Sequence, residues 1–134
     1  MQDSYHKYIF GRYVSDHPSS STKIERWVKH TSNSVKLFYT DGTQAIYHGV
    51  LGTLRGVKPN NGSMADWKRD FRDALIERMS DCGYTQDSLA KAIGVSQQVV
   101  GKYLNKQAVP SGYVISKMAK VLRCATDDLI YFDN

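Results

Sequence analysis

The chain has 134 residues, of which 41% are hydrophobic and 23% charged, and its formal net charge is +5. This length suits one or two small domains, and no apolar run approaches the ~20 residues that span a bilayer. The first residues lack the basic and then apolar segments of a signal peptide. We therefore expect a cytoplasmic protein that has no membrane partner.

The positive charge is unevenly distributed along the chain. Residues 1–63 carry eight Lys and Arg against four Asp and Glu, whereas residues 64–134 carry ten against nine. A modest excess of this kind is compatible with a polyanionic partner but is not specific to one. An anion-binding surface in the second part must therefore depend on where the charges lie and not on their number.

Residues 1–57 predict a small antiparallel β-sheet domain. Aromatic and β-branched residues favour strands over residues 5–14 and 23–31, and residues 50–57 suit a weaker last strand. A sheet of this size is a marginal domain by itself, so we expect its apolar face to pack on a second copy or on the rest of the chain. Residues 58–63 are rich in Pro, Asn and Gly and are interpreted as a linker.

The clearest local signal in this part is the pair Asp41-Gly42 between two apolar runs. Such a pair favours a two-residue type I′ hairpin. The pairs expected in that register are Leu37 with Ile46, Phe38 with Ala45, and Lys36 with Tyr47.

From Ser63 onwards the chain predicts helices, which form a second domain over residues 64–134. Ser63 and Asp66 resemble a capping pair at the start of the first helix. A later helix is expected over residues 111–123, and a short last helix near Asp127. The residues that recur at helical spacing in the first helix are Trp67, Phe71, Ala74, Leu75, Met79 and Cys82. The preceding Gly-Ser would also suit an artificial joint between two sequences.

Between these helices lie two short helices joined by a tight turn, over residues 86–105. Thr85 and Ser96 are suited to cap them, and Gly94 stands where the first must end, because glycine enters the left-handed conformation without steric cost. Ala90 falls where the two helices would touch, and a larger side chain would push them apart. These features together predict a helix-turn-helix.

This motif resembles the Cro/repressor (Xre) helix-turn-helix family, in particular the repressors of lambdoid phages, over about residues 67–129. The segments that extend the resemblance beyond the motif are Tyr84-Thr85-Gln86, Ala108-Val109-Pro110, Met118-Ala119-Lys120-Val121-Leu122 and Thr126-Asp127-Asp128-Leu129. The resemblance implies a five-helix, lambda-repressor-like domain. Together with the predicted sheet, it gives an α+β fold class. The N-terminal part resembles no family that we identify.

In the second motif helix, Val100 and Leu104 are expected to face the core. That leaves Gln97, Gln98 and Lys102 exposed as candidates to contact DNA bases in the major groove. A glutamine amide can form a bidentate pair with the edge of adenine, and the lambdoid repressors read bases from the positions of the two glutamines. Lys102 could reach a guanine or a phosphate. The alternative for all three is an ordinary solvated helix surface.

The resemblance also implies contacts to the DNA backbone. A glutamine at the position of Gln86 contacts a phosphate in this family and braces the first glutamine of the recognition helix. By the same transfer, Asn105 contacts a phosphate, and Ser96, Lys106 and Gln107 are further candidates of this kind. For Lys106 the solvated-surface alternative is favoured.

No pattern in the sequence points to catalysis, a metal site or a cofactor. The two cysteines, Cys82 and Cys124, are interpreted as small core residues. The four histidines are expected on the surface or on strand faces: His6, His17, His30 and His48. Trp27 and the tyrosines are expected to pack within the sheet, although aromatic residues can also stack on bases.

These features predict a sequence-specific, double-stranded DNA-binding regulator of transcription that is not an enzyme. Its setting would be a phage or prophage in a bacterial host cell, close to the nucleoid, although antitoxins and restriction–modification controllers use the same motif. We expect a homodimer, held by residues 1–57, on a pseudo-palindromic operator. The alternative is an interaction module whose sheet binds a protein or RNA partner while the helices dock to nucleic acid.

Overall fold

The computed structural model describes residues 4–57 and 63–130. The chain divides into two compact units, Met1–Lys58 and Pro59–Asn134, which we name the N-terminal and C-terminal units. Of the predicted linker, residues 58–62 lie outside the described residues. The α+β class is confirmed, because the first unit contains an antiparallel sheet and the second is helical.

The N-terminal unit consists of a helix and a four-stranded sheet. Neighbouring strands are antiparallel and follow the order β1-β2-β3-β4, so the sheet is a simple meander. Its elements are α1 (Ser4–Asp16), the single turn α2 (Pro18–Ser21), β1 (Ile24–Thr31), β2 (Ser34–Tyr39), β3 (Gln44–His48) and β4 (Thr53–Gly56). The predicted strand over 23–31 is thus confirmed as β1, and the one over 50–57 is reduced to the four residues of β4.

The strand predicted over residues 5–14 is wrong, because this segment is helix α1. Its many aromatic residues favour a strand by composition, but His6, Ile9 and Tyr13 recur at intervals of three and four residues and are all buried. The helical period therefore prevails over composition. The buried side chains that α1 shares with the sheet are Ile9, Tyr13, Val35, Leu37, Ala45 and Tyr47.

The hairpin between β2 and β3 exists, but its predicted turn type is wrong, and the predicted register differs from the observed one by one residue. Leu37 pairs with Ala45, and the amide of Tyr39 donates to the carbonyl of Thr43 at 2.9 Å, which leaves a three-residue loop. Gly42 has φ +87°, as expected for a type I turn followed by a left-handed residue. The observed pairs that replace the predicted ones are Leu37 with Ala45, Phe38 with Gln44, and Lys36 with Ile46.

The side chain of Asp41 favours this longer loop. Its Oδ1 accepts hydrogen bonds from the amide of Thr43 at 2.9 Å and from its hydroxyl at 2.6 Å. These bonds hold the pKa of Asp41 below its usual value. An aspartate that bonds two residues ahead forms a turn of its own, and this competes with the two-residue hairpin.

Two histidines expected on the surface or on strand faces are fully buried within the N-terminal unit. His6 lies on α1, and its Nε2 is 2.7 Å from the carbonyl oxygen of Thr31. His48, at the end of β3, accepts hydrogen bonds at Nδ1 from the amides of Val50 and Leu51. These two rings therefore satisfy backbone groups at the end of the sheet.

Over its described residues, 63–130, the C-terminal unit is a cluster of four α-helices and a final turn of 3₁₀ helix around one core. The elements are α3 (Met64–Cys82), α4 (Gln86–Ile93), α5 (Gln97–Leu104), α6 (Gly112–Val121) and the 3₁₀ turn Thr126–Asp128. The predicted cap at the start of α3 is confirmed, because the Ser63 hydroxyl accepts from the Asp66 amide. The helix ends at Gly83, which is left-handed. The fully buried core residues include Phe71, Leu75, Leu89, Ile93, Val100, Met118, Leu122 and Leu129.

The packing of α1 on the sheet generates a matched pair of substitutions at glycine. A Cβ at Gly49 would lie 2.8 Å from Cγ1 of Ile9, whereas a Cβ at Gly11, on the exposed side of α1, would meet nothing within 4 Å. We expect Gly49→Ala to destabilise the N-terminal unit by about 1–3 kcal/mol, because it overpacks a tight contact. Gly11→Ala should stabilise the unit by about 0.5–1 kcal/mol, because alanine is the better helix former.

Chemical unfolding of the full chain, followed by circular dichroism, measures both changes. In an Ile9→Ala background the cost of Gly49→Ala should largely disappear. An unchanged midpoint for Gly49→Ala in the natural background would contradict the packing described.

Candidate nucleic-acid interface

The surface predicted to bind DNA is formed by α4 and α5, and local signals fix both helices. The Thr85 hydroxyl accepts from the amide of Ser88, whose own hydroxyl accepts from the amide of Thr85, so α4 begins with a reciprocal capping box. Gly94 ends α4 with φ +78°. The Ser96 hydroxyl then accepts from the amide of Val99 at 3.2 Å and starts α5.

The two helices approach closely on their buried sides. Ala90 is only 2% exposed, as predicted for the residue at the contact, and Val100 is completely buried. Tyr103 is buried as well, with its ring 6.4 Å from that of Phe71, whereas Leu104 is only half-buried. Leu104 packs against this core as predicted, whereas Tyr103, which was not predicted, is the more deeply buried of the two. Burial raises the pKa of Tyr103, which keeps the phenol neutral.

The first turns of α5 present polar side chains to solvent. Gln97, Gln98 and Lys102 are all exposed. Gln98 and Lys102 are four residues apart, so they lie on the same face of the helix, one turn apart. These three side chains therefore lie on a surface of α5 that the core does not occupy.

Gln86 belongs to α4, but its side chain lies beside α5. A Cβ built at Gly101 would be 3.6 Å from Oε1 of Gln86, an ordinary van der Waals distance. Because position 101 is glycine, the amide of Gln86 lies near the backbone of α5. The structure thus places Gln86, which is predicted to contact the DNA backbone, beside the helix that carries the residues predicted to contact bases.

The C-terminus of α5 holds Asn105 and Lys106, both exposed. The amide of Lys106 donates to Tyr103 and the amide of Gln107 to Lys102, at 3.2 and 2.8 Å. This is the double hydrogen bond of a helix that ends in a left-handed residue, and that residue is Lys106, with φ +62°. Glycine or asparagine normally occupies this place, so Lys106 holds a strained conformation at the rim of the surface.

The charges near this surface are mainly positive. Lys102 and Lys106 are exposed cations on α5 and immediately after it, and the helix has no acidic residue in its first turn. On α4, the carboxylate of Asp87 lies 3.2 Å from the ammonium of Lys91, and both side chains are exposed. The acidic residue next to Gln86 is therefore offset by a neighbouring lysine.

Two further findings concern what the described residues contain. Across residues 4–57 and 63–130, no group of three His, Cys, Asp or Glu side chains is arranged to hold a metal ion. Within the same residues, no helix is both long and apolar enough to cross a membrane.

Comparisons with known proteins identify the C-terminal unit. The family model HTH_3, described as helix-turn-helix, matches residues 76–129. The chain is 34% identical over 62 residues to the "Uncharacterized HTH-type transcriptional regulator YvzC" of Bacillus subtilis (strain 168), a match that covers 46% of this chain and 80% of that protein. It is 38% identical over 47 residues to the "Uncharacterized HTH-type transcriptional regulator YazB" of the same organism. That match covers 35% of this chain and 68% of that protein.

Among solved structures, the SOS-response transcriptional repressor LexA from Eubacterium rectale is similar at 26% sequence identity. That match has a TM-score of 0.47 and covers 51% of this chain and 72% of that chain.

The strained end of α5 yields a stability prediction. Lys106→Gly should stabilise the C-terminal unit by about 0.5–1 kcal/mol. Glycine removes a left-handed penalty of about 1–2 kcal/mol, and its greater freedom in the unfolded chain offsets about 0.4–1 kcal/mol of that gain. Lys106→Ala keeps the penalty and should change stability little. Thermal unfolding of the three full-length proteins measures both effects, and equal midpoints for the glycine and alanine variants would contradict the strain.

Proposed function

The chain belongs to the helix-turn-helix family HTH_3, and on this premise we propose that it regulates transcription by sequence-specific binding to double-stranded DNA. Members of this family are DNA-binding regulators and are typically not enzymes. The observation that carries the proposal is the polar surface of α5, where Gln97, Gln98 and Lys102 are exposed while Val100 and Tyr103 fix the helix from below. A helix held in this way can enter the major groove without giving up its packing.

In this proposal, Gln97 and Gln98 read bases. Each amide group offers one acceptor and two donors, which match the N6 and N7 edge of adenine in the major groove. Lys102 lies one turn further along and reaches either a guanine or a phosphate. Gln97, the first residue of α5, is the first choice for a base contact, because recognition helices contact bases mainly from their N-terminal part.

The contacts that position the protein on the backbone come from both helices. Ser96 uses its oxygen lone pair to cap α5, and its hydroxyl proton remains available to a phosphate. The amide of Gln86 lies beside α5, where it can bond a phosphate and brace Gln97 at the same time. Asn105 and Lys106 contact phosphate from the opposite end of the helix.

The strain at Lys106 bears on its role. A cation at a helix C-terminus gains only about 0.3–1 kcal/mol from the helix dipole, which is less than the cost of a left-handed backbone. The dipole alone therefore does not account for lysine at this position, and a phosphate contact supplies a reason to keep it. Arg123 also holds a left-handed backbone, with φ +56° after α6, so the argument depends on the location of Lys106 beside α5 as well as on its conformation.

One recognition helix reads too few base pairs to select a site in a genome, so we propose that the protein binds a pseudo-palindromic operator as a homodimer. The setting would be a phage or prophage in the cytoplasm of a bacterial host, with antitoxins and restriction–modification controllers as the alternatives. The second candidate function is an interaction module in which the sheet binds a protein or RNA. Selection of binding sites from random duplexes tests the main proposal, because a module of that kind would enrich no sequence.

Base reading is tested at Gln97. We expect Gln97→Ala to cost ~1–3 kcal/mol on the selected site and to relax the preference at one base pair of each half-site, because a bidentate amide–adenine pair is lost. Asn105→Ala is the matched control, and it should weaken all sequences alike. Titration of selected and random duplexes measures both variants. If Gln97→Ala reduced the two affinities equally, the residue would position the protein and not read a base.

Assembly is tested by comparing the full chain with its C-terminal unit alone. The final 3₁₀ turn offers little area for an interface, whereas β1 is an eight-residue strand at the edge of the sheet. Helix α1 covers one face of the sheet, so this edge is the better candidate for the interface. Sedimentation should find the full chain dimeric and a fragment of residues 64–134 monomeric. A folded fragment that dimerises as tightly as the whole protein would assign the interface to the C-terminal unit.

A further inference from the structure

Helix α5 carries one lysine, Lys102, which is the sixth of its eight residues. A helix of this size is about 12 Å long, close to the width of the major groove. Gln97 and Gln98 are its first two residues, and Asn105 caps its end. Lys102 therefore lies within the helix, between the glutamines and the rim of the proposed DNA-binding surface.

The side chain of Lys102 points away from the core. Successive residues of a helix are turned by about 100°, so residues two apart are turned by about 200°. Val100 is completely buried, and Gln98 and Lys102 lie two residues before it and two residues after it. Both are exposed, and both lie on the side of α5 opposite to the buried valine. A helix that brings Gln98 to the base edges of the major groove therefore turns Lys102 towards them as well.

The ammonium group of Lys102 has no partner in the part of the chain that the structure describes. Other lysines of this unit are engaged. Lys91 on α4 lies 3.2 Å from the carboxylate of Asp87, and the ammonium of Lys117 on α6 lies 4.7 Å from the ring centroid of Tyr113. Lys102 can thus give all three of its N–H donors to a ligand.

An ammonium group discriminates between base pairs because it can only donate. Guanine presents two acceptors, N7 and O6, in the major groove, and lysine can bond both of them. Adenine presents N7 beside the N6 amino group, which is itself a donor and opposes a second donor. A lysine that reaches the base edges therefore favours G·C, whereas a glutamine in the same place favours A·T.

Position and length favour a base over a phosphate as the ligand of Lys102. Recognition helices contact bases mainly from their N-terminal part, and Lys102 lies about 6 Å beyond Gln98 along the axis. Its four-carbon stem is longer than the side chain of glutamine and spans that distance. Lys106 follows the end of α5 and offers a cation at the rim, where the proposed function puts the DNA backbone.

We propose that Lys102 is a specificity-determining residue that reads a guanine in each half-site, near the adenines read by Gln97 and Gln98. The proposal rests on the proposed function, which brings α5 into the major groove, and it selects guanine over phosphate as the ligand of this lysine. Each half-site then combines A·T pairs, read by glutamine, with a G·C pair, read by lysine.

The test exchanges the side chain that reads this pair. Lys102→Gln should change the preferred pair from G·C to A·T and leave the rest of the site unchanged, because an amide matches adenine. Sites are selected from random duplexes with the natural full-length protein and with the variant. Both proteins are then titrated with two duplexes that differ only at that pair. The natural protein should prefer G·C by roughly 5- to 150-fold, which corresponds to about 1–3 kcal/mol, and the variant should reverse the order.

Lys106→Gln is the matched control, because it removes the same charge from the other exposed lysine of this surface. It should weaken the binding of both duplexes alike, keep the preference for G·C, and reduce the slope of log K against log salt by about 0.9. If Lys102→Gln behaved in the same way, Lys102 would contact a phosphate and the proposal would be wrong. Selected sites that Lys102→Gln left unchanged at every base pair would also overturn it.

The result is separable from the test of the proposed function. A chain that enriches no sequence refutes sequence-specific reading altogether, and guanine reading with it. If Gln97→Ala relaxes one base pair while Lys102→Gln changes none, α5 reads DNA but Lys102 does not. Lys102→Met, which keeps a long side chain without a donor, should lose the preference for G·C and acquire none for A·T.

Discussion

The packing of α4 against α5 is the constraint on which the proposed DNA-binding surface depends. Each helix has eight residues, too few to be stable in water alone, so both must gain their stability from the core beneath them. The small side chain of Ala90 is buried, and the left-handed Gly94 begins a turn of only three residues between the helices. The exposed glutamines therefore have fixed positions because of side chains such as Val100 and Tyr103, which face away from solvent. Precision of this kind is what base reading requires, since a bidentate hydrogen bond tolerates little displacement.

The C-terminal unit was predicted almost completely from its sequence, because the signals that define its elements are local. A serine or threonine starts each of its four helices, and its hydroxyl accepts a hydrogen bond from the amide three residues ahead. Such a bond depends on a few adjacent residues and on nothing distant. Tyr103 shows the limit of this approach. Its spacing fits the core as well as that of Leu104, and its deeper burial depends on contact with the ring of Phe71, which lies far away in the sequence.

The N-terminal unit was predicted less well, because its elements depend on distant contacts. The aromatic content of residues 5–14 suits a strand, and only the burial of Ile9 and Tyr13 against the sheet favours the helix. The hairpin register depends on two hydrogen bonds from Thr43 to Asp41, which compete with the turn that an Asp-Gly pair favours. The bulge after Ile24 depends on packing between Trp27 and α1 and has no local signal. The exposed polar surface of α5 was therefore accessible from the sequence, whereas the register of the sheet was not.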